Sequence, residues 1–332
     1  MDKQTSSPGS PTEIARAALA VIGMDPASIA EVSVLPGGIG ACDAYALTMS
    51  DESRFVLKAQ LPGGPPDHIA ALKREALFYR HLAPRLPISP PKVHGICTDE
   101  SVGITLLIGS YSPSPPVEHW TEALYLQAAG DLARLHATFW DGADDLAACG
   151  FLGHRTLDVS DADTNHAREC WTYLSTVPRF EPILGQDRLR WLEAQIQTVQ
   201  SRIGPLAALP PTLIHGDCHV GNILIGECGD LVWTNWTCAS VGRGPEDVSF
   251  LYQRAEFAGG TVPCNAMVEA YHAGLRGSGL DVPMEAVRSA ADASEWSVRL
   301  LQWPHYMDYA SPQTLRSFME RLDFLATTVH KS

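Results

Sequence analysis

Apolar positions change their spacing along the chain at Ser112-Pro113-Ser114-Pro115-Pro116. Before this break they come in short runs: Glu31–Leu35, Asp43–Met49, Arg54–Ala59, Val93–Cys97 and Gly103–Ile108. Glycine, proline or polar turns bound each run, which predicts strands. Two helical stretches interrupt them. Ile14, Ala18, Val21 and Ile22 recur at helical spacing behind Ser10-Pro11-Thr12-Glu13, a capping box with proline at the first helical position. Ile69, Leu72, Ala76 and Tyr79 mark a second helix over 68–82. Beyond the break the spacing is mainly three and four. Helices are predicted over 122–140, with Leu124, Ala128, Leu132, Leu135 and Phe139 on one face, and over 187–203, 265–275, 283–301 and 311–329. Asp158–Asp163 reads as an acidic, irregular stretch. The pattern predicts an α+β protein, strand-rich over 1–110 and mainly helical over 111–332.

Composition narrows the function. A chain of 332 residues carries one large or two moderate domains, and 45% hydrophobic residues is ordinary for a globular protein. There is no run of 18 apolar residues, so no membrane association is expected, and Met1–Gly9 lacks a secretory profile. The eight cysteines include no C-x-x-C pair. They read as reduced, mostly structural thiols of a cytoplasmic protein, and a zinc site is not expected. A net charge of −14 argues against a nucleic-acid partner and permits a cationic substrate.

The candidate chemistry lies in Leu213–Ile225, where Pro210-Pro211 precede and Gly226 follows. His215-Gly216-Asp217-Cys218-His219-Val220-Gly221-Asn222 places an acid, two imidazoles and an amide in one loop that leads into an apolar strand. A carboxylate there can accept a proton from a substrate hydroxyl. An amide oxygen five residues on can help hold a divalent metal that bridges phosphates. His215 can brace the loop. Cys218 reads as a small side chain packed behind it.

His215-Gly216-Asp217-x-His219-x-x-Asn222 resembles the catalytic loop of the aminoglycoside phosphotransferase and choline-kinase-like family of small-molecule kinases. The resemblance spans roughly residues 30 to 255. It implies a bilobal protein-kinase-like fold, with ATP or GTP between the lobes. It makes Asp217 the catalytic base and Asn222 a Mg2+ ligand. Lys58, after the apolar run Phe55-Val56-Leu57, resembles the lysine that touches the nucleotide phosphates. Glu75, on the next helix, matches its anionic partner. Pro36-Gly37-Gly38-Ile39-Gly40 sits where the family covers the nucleotide with a hairpin, so Gly37, Gly38 and Gly40 become phosphate-covering candidates. By family geometry, backbone groups from Ile108 to Ser110 meet the base, with Gly109 where an acidic residue is usual. Val241–Leu251 loosely resembles a segment in which Asp247 braces the catalytic loop.

One position departs. The strand Leu231-Val232-Trp233-Thr234 is followed by Asn235-Trp236, where the family usually has the aspartate that is the main magnesium ligand. An amide still offers oxygen, but magnesium favours anionic ligands. The reading is therefore a phosphotransferase that moves a γ-phosphoryl group to a hydroxyl of a small molecule. An antibiotic or related natural product of aminoglycoside type is the first choice. The alternative is a nucleotide-binding pseudokinase or a weakened variant. Trp296, Trp303, His305, Tyr306 and Tyr309 form an aromatic patch that could line the acceptor pocket or simply pack.

Overall fold

A computed structural model describes residues 9–35 and 44–328. Its main elements run in chain order. They open with α1 (Pro11–Val21), β1 (Ile29–Leu35), β2 (Ala44–Met49), β3 (Arg54–Gln60), α2 (Pro66–His81), β4 (Val93–Cys97) and β5 (Ile104–Gly109). Then come α3 (Glu122–Thr138), α4 (Ala143–Ala147), β6 (Gly153–His154), α5 (Asp161–Thr176), α6 (Gln186–Gln197), α7 (Val199–Arg202) and α8 (Gly204–Ala207). Next are β7 (Thr212–Ile214), β8 (Ile223–Ile225), β9 (Leu231–Trp233) and β10 (Ser240–Gly242), and α9 (Gly244–Phe257), α10 (Cys264–Gly277), α11 (Met284–Leu301) and α12 (Pro312–Thr328) close the chain. The α+β reading holds. The protein has a protein-kinase-like fold, with an antiparallel sheet early in the chain and mainly helices later.

Two compact units divide the chain. One takes Met1–Ser114 with Gly221–Ala239, and the other takes Pro115–Val220 with Ser240–Ser332. The glycines 37, 38 and 40 lie outside the described residues.

In the first unit a five-stranded antiparallel sheet has the order β1-β2-β3-β5-β4. The β2 strand alternates partly buried with buried residues, as expected when one face packs. Helix α1 starts at the anticipated cap: Ser10 accepts from the Glu13 amide and Glu13 returns to the Ser10 amide. Its Ile14, Ala18 and Leu19 pack with Tyr45, Leu47, Leu57 and Leu107 of the sheet. The β8–β9 hairpin turns at Gly229, whose φ of +81° suits glycine. The Trp233 amide donates to Ser89 O at 2.9 Å, which ties the hairpin into this unit.

The second unit buries a core of α5, α6, α11 and α12 around Trp171, Phe180, Trp296, Leu300, Leu315 and Leu322. Two sequence expectations change here. The acidic stretch at 158–163 is a helix start rather than irregular chain. Ser160 caps α5 through a capping box with Asp163, and the acids occupy the first turn, where the helix dipole favours them. The predicted helix over 187–203 is broken at Thr198, which has φ −104° and ψ 1°. Its hydroxyl returns to the Ala194 and Gln195 carbonyls, and that competition ends α6. Among the described residues no helix is long and apolar enough to cross a membrane.

Candidate active site

In the first unit, strand and helix converge on Lys58. It lies on β3, between Ala44 of β2 and Leu106 of β5 in the sheet register. Its Nζ donates to Glu75 Oε1 at 2.9 Å and to Oε2 at 2.8 Å, a two-oxygen clasp from α2. The Glu75 side chain is fully buried and that of Lys58 is 15% exposed. A carboxylate so buried requires its counter-charge.

The hairpin brings two amides together and sets one of them, Asn235, against the same ammonium. The Thr234 amide donates to Asn222 O at 3.0 Å, closing the base of the β8–β9 ladder. That bond sets residues 222 and 235 side by side. Asn235 Nδ2 donates to Asn222 Oδ1 at 3.2 Å, and Asn235 Oδ1 accepts from Lys58 Nζ at 3.3 Å and from the Thr237 hydroxyl at 3.3 Å. Asn235 has a φ of 64°, a left-handed conformation that Asn and Asp tolerate better than other side chains. The segment is fixed further by Arg74, whose guanidinium donates to Thr237 O at 2.8 Å, and by Trp236, which stacks on Phe78 with centroids 4.2 Å apart. Four of the predicted site residues, Lys58, Glu75, Asn222 and Asn235, thus form one cluster.

Ile108 is buried and pairs with Val56 and Val93 in the middle of the sheet. Just beyond it, the Gly109 amide donates to Lys92 O and the Ser110 amide to Arg54 O. Those two amides already have partners within the protein.

Asp217 and His215 belong to the second unit. The loop that carries them starts from β7, and Gly216 takes a φ of +81°, which selects glycine. Asp247, in the first turn of α9, holds this loop. Its Oδ2 accepts from the His215 amide at 2.6 Å and its Oδ1 from the Gly216 amide at 2.9 Å. His136 Nε2, on α3, lies 3.2 Å from Asp247 Oδ2, and its Nδ1 lies 2.9 Å from the Tyr271 hydroxyl of α10. Burial alone would raise the Asp247 pKa. The hydrogen bond and charge of His136, the neighbouring His215 and the Gly216 amide outweigh it and bring the carboxyl down to about 2. Asp247 is therefore an ionised bracket.

The ring of His215 faces its own loop, accepting at Nδ1 from the Asp217 amide at 3.3 Å. Arg155 donates to Gly216 O at 2.6 Å. The Asp217 side chain is 31% exposed, with His219 Nε2 3.7 Å from its Oδ2. Cys218 is fully buried; burial, then the Asp247 carboxylate, pushes its thiol well up, so it is an inert packing residue.

His136, Arg155 and Tyr271 escape sequence reasoning as parts of the loop's support. They come from helices or loops more than about 50 residues from Asp217 in sequence. Gly244 carries a related signal: a Cβ there would overlap the Tyr271 hydroxyl and lie 2.7 Å from His136 Nδ1. The aromatic patch divides. Trp296 is wholly buried core, Tyr309 is 94% exposed, and Trp303 lines a cavity of about 400 Å³ with Phe257, Phe318, Gln253, Arg299 and Arg321.

An ammonium clasped by a buried carboxylate beside two amide oxygens, and an acid on a braced loop, are parts found together in small-molecule kinases. The chain belongs to the phosphotransferase enzyme family, whose model matches residues 32–277. It is a small-molecule phosphotransferase by class. Similar solved structures include an aminoglycoside phosphotransferase from Alicyclobacillus acidocaldarius, 14% identical over 99% of both chains with a TM-score of 0.64. An aminoglycoside 2'-phosphotransferase-IIIa in complex with GDP is 12% identical over 96% of this chain and 99% of its own, with a TM-score of 0.60. An ethanolamine kinase from Plasmodium vivax is 13% identical over 91% of this chain and 82% of its own, with a TM-score of 0.55. Among the curated proteins no sequence matches.

Proposed function

We propose that this protein transfers the γ-phosphoryl group of ATP or GTP to a hydroxyl of a small molecule, with an aminoglycoside-type natural product as the first acceptor class to test. The observation that carries the reading is the Lys58 ammonium, held by both oxygens of Glu75 and adjacent to Asn235 and Asn222. A lysine fixed this way offers its charge to phosphate oxygens. The similar fold captured with GDP supports a nucleotide donor and makes GTP a candidate beside ATP. The acceptor class is argued from the relatives and from the net charge of −14, which attracts polycations.

Asp217 orients the acceptor hydroxyl and takes its proton as the new P–O bond forms. The bond from the γ-phosphorus to the bridging oxygen breaks, and the nucleoside diphosphate leaves. Asp247 and His215 keep the Asp217 loop in one geometry, which is where much of the rate in such transfers originates. Lys58 holds the phosphates.

Mg2+ would be held by Asn222 and Asn235 and would draw charge off the phosphates. The donor set suits it in kind but not in charge: both oxygens are neutral, one already accepts from the neighbouring amide, and the other accepts from Lys58. That same feature favours a second reading, a nucleotide-binding protein with little transfer. A screen of hydroxylated acceptors with ATP and GTP, read by mass spectrometry on the protein and on Asn235→Asp, separates the two. A phosphorylated product supports transfer; nucleotide binding without product from either form supports the second reading.

A further inference from the structure

Away from the candidate active site, three ligating side chains meet in the second unit, among them His305 of the aromatic patch. His166 and Cys170 stand one turn apart on α5, and His305 comes from the 3-10 helix Trp303–Tyr309. One ligand atom from each, two imidazole nitrogens and the thiol sulfur, lies within 4.8 Å of the others. Cys170 Sγ is 3.6 Å from His166 Nε2. A zinc ion with bonds of about 2.1 Å to nitrogen and 2.3 Å to sulfur at a tetrahedral angle places those two atoms about 3.6 Å apart. The spacing matches the edge of a tetrahedral site, and the His305 nitrogen needs to close by about 1.4 Å at most to complete a face.

The ring geometry is compatible with a shared ion. The His166 and His305 centroids are 5.3 Å apart with the planes tilted by 44°, so the rings are not stacked. His305 also meets Tyr306 edge-on, with centroids 4.9 Å apart, which limits its ring positions. The two supporting segments are pinned around the cluster. Trp171, next to Cys170, donates from its indole to Leu300 O at 2.9 Å, and the Tyr173 hydroxyl bonds Asp308 at 3.2 Å. Ligands carried on segments already docked lose little entropy on binding.

We propose that His166, Cys170 and His305 bind a zinc-class transition-metal ion, with solvent water in the fourth position. The ligand chemistry selects it: one thiolate and two imidazoles suit Zn2+ and disfavour Mg2+ or Ca2+. The thiol proton leaves to solvent as the metal–sulfur bond forms. The ion clamps α5 to the 3-10 helix, elements about 130 residues apart in sequence, as the Tyr173–Asp308 bond already does. The absence of a C-x-x-C pair conceals such a site, because its ligands come from helical i, i+4 spacing and a remote segment. The proposal is independent of phosphotransfer, and its test reads metal rather than turnover.

Co2+ is titrated into the reduced, metal-free full chain and followed by absorption, with Zn2+ as competitor and melting temperature as a second readout. The expected result is one Co2+ per chain with a thiolate-to-cobalt band in the near ultraviolet, displaced by Zn2+, and a melting temperature raised by Zn2+. Cys170→Ser removes the band. His166→Gln and His305→Gln, both at exposed positions, weaken binding tenfold or more and abolish the Zn2+-dependent rise in melting temperature. Failure of the wild type to take up Co2+ or Zn2+ at micromolar concentrations overturns the proposal. So does a band that persists in both histidine variants, because the metal would then sit on other thiols.

Discussion

Placing a carboxylate at position 235 adds one negative charge where the structure has a neutral amide. The Asn235 oxygen lies 3.3 Å from Lys58 Nζ, a distance at which unit charges attract by about 5 kcal/mol at an effective dielectric of about 20. Lys58 is 15% exposed and already shared with Glu75, so screening and competition bring this to roughly 1–2 kcal/mol. The substitution also removes the Asn235–Asn222 amide bond, at a cost of about 1 kcal/mol, and desolvates a new anion. Without metal these effects nearly offset, and the melting temperature of Asn235→Asp in chelator stays close to that of the parent. With Mg2+ they do not offset. An anionic oxygen ligand in place of an amide strengthens the site by roughly 1.4–2.8 kcal/mol, or about 10- to 100-fold. The assay is nucleotide binding titrated against Mg2+. The half-saturating Mg2+ concentration falls by at least about tenfold in Asn235→Asp, while Asn222→Ala moves it the other way. Identical Mg2+ dependence for parent and Asn235→Asp would refute the assignment of this position to the metal.

Other expected outcomes follow from single contacts. Lys58→Met leaves the buried Glu75 carboxylate without its partner and costs about 3–5 kcal/mol in denaturant unfolding, besides weakening nucleotide binding. Asp247 has a folded pKa depressed from 3.8 to about 2, so it contributes stability above pH 4 that is lost as pH falls from about 4 to 2. The contribution is about 2 kcal/mol, and Asp247→Asn removes it at neutral pH and flattens this part of the acid-unfolding profile. Gly244→Ala forces apart His136 and Tyr271 and costs about 1–3 kcal/mol by thermal unfolding. Ser160→Ala deletes the α5 cap and costs about 1 kcal/mol, read by the same measurement.

Local patterns made much of this readable in the sequence. Lys58 ends an apolar run that can only be a strand in a sheet, and Glu75 falls on the helix that follows. Their meeting required one neighbouring pair of elements. Asn222 and Asn235 flank a short hairpin with a glycine turn, so strand register alone brings them together. The first helix was legible because its capping box is complete within four residues. The start of α5 carries the same signal at Ser160 and Asp163, but a run this acidic suits a solvated loop equally well until the cap bonds are seen. The break at Thr198 depends on one hydroxyl choosing carbonyls of its own helix over water, which periodicity does not register. The support of the Asp217 loop by His136, Tyr271 and Arg155 is a matter of tertiary packing between distant segments. So is the meeting of His166 and Cys170 with His305.

The central claim is that Asp217 accepts the proton of an acceptor hydroxyl during phosphoryl transfer, and it is tested most directly by product formation. With an acceptor identified by mass gain, Asp217→Asn should lose about 100- to 10,000-fold in kcat while nucleotide affinity stays within a few-fold. A variant that transfers phosphoryl groups as fast as the parent would contradict the account.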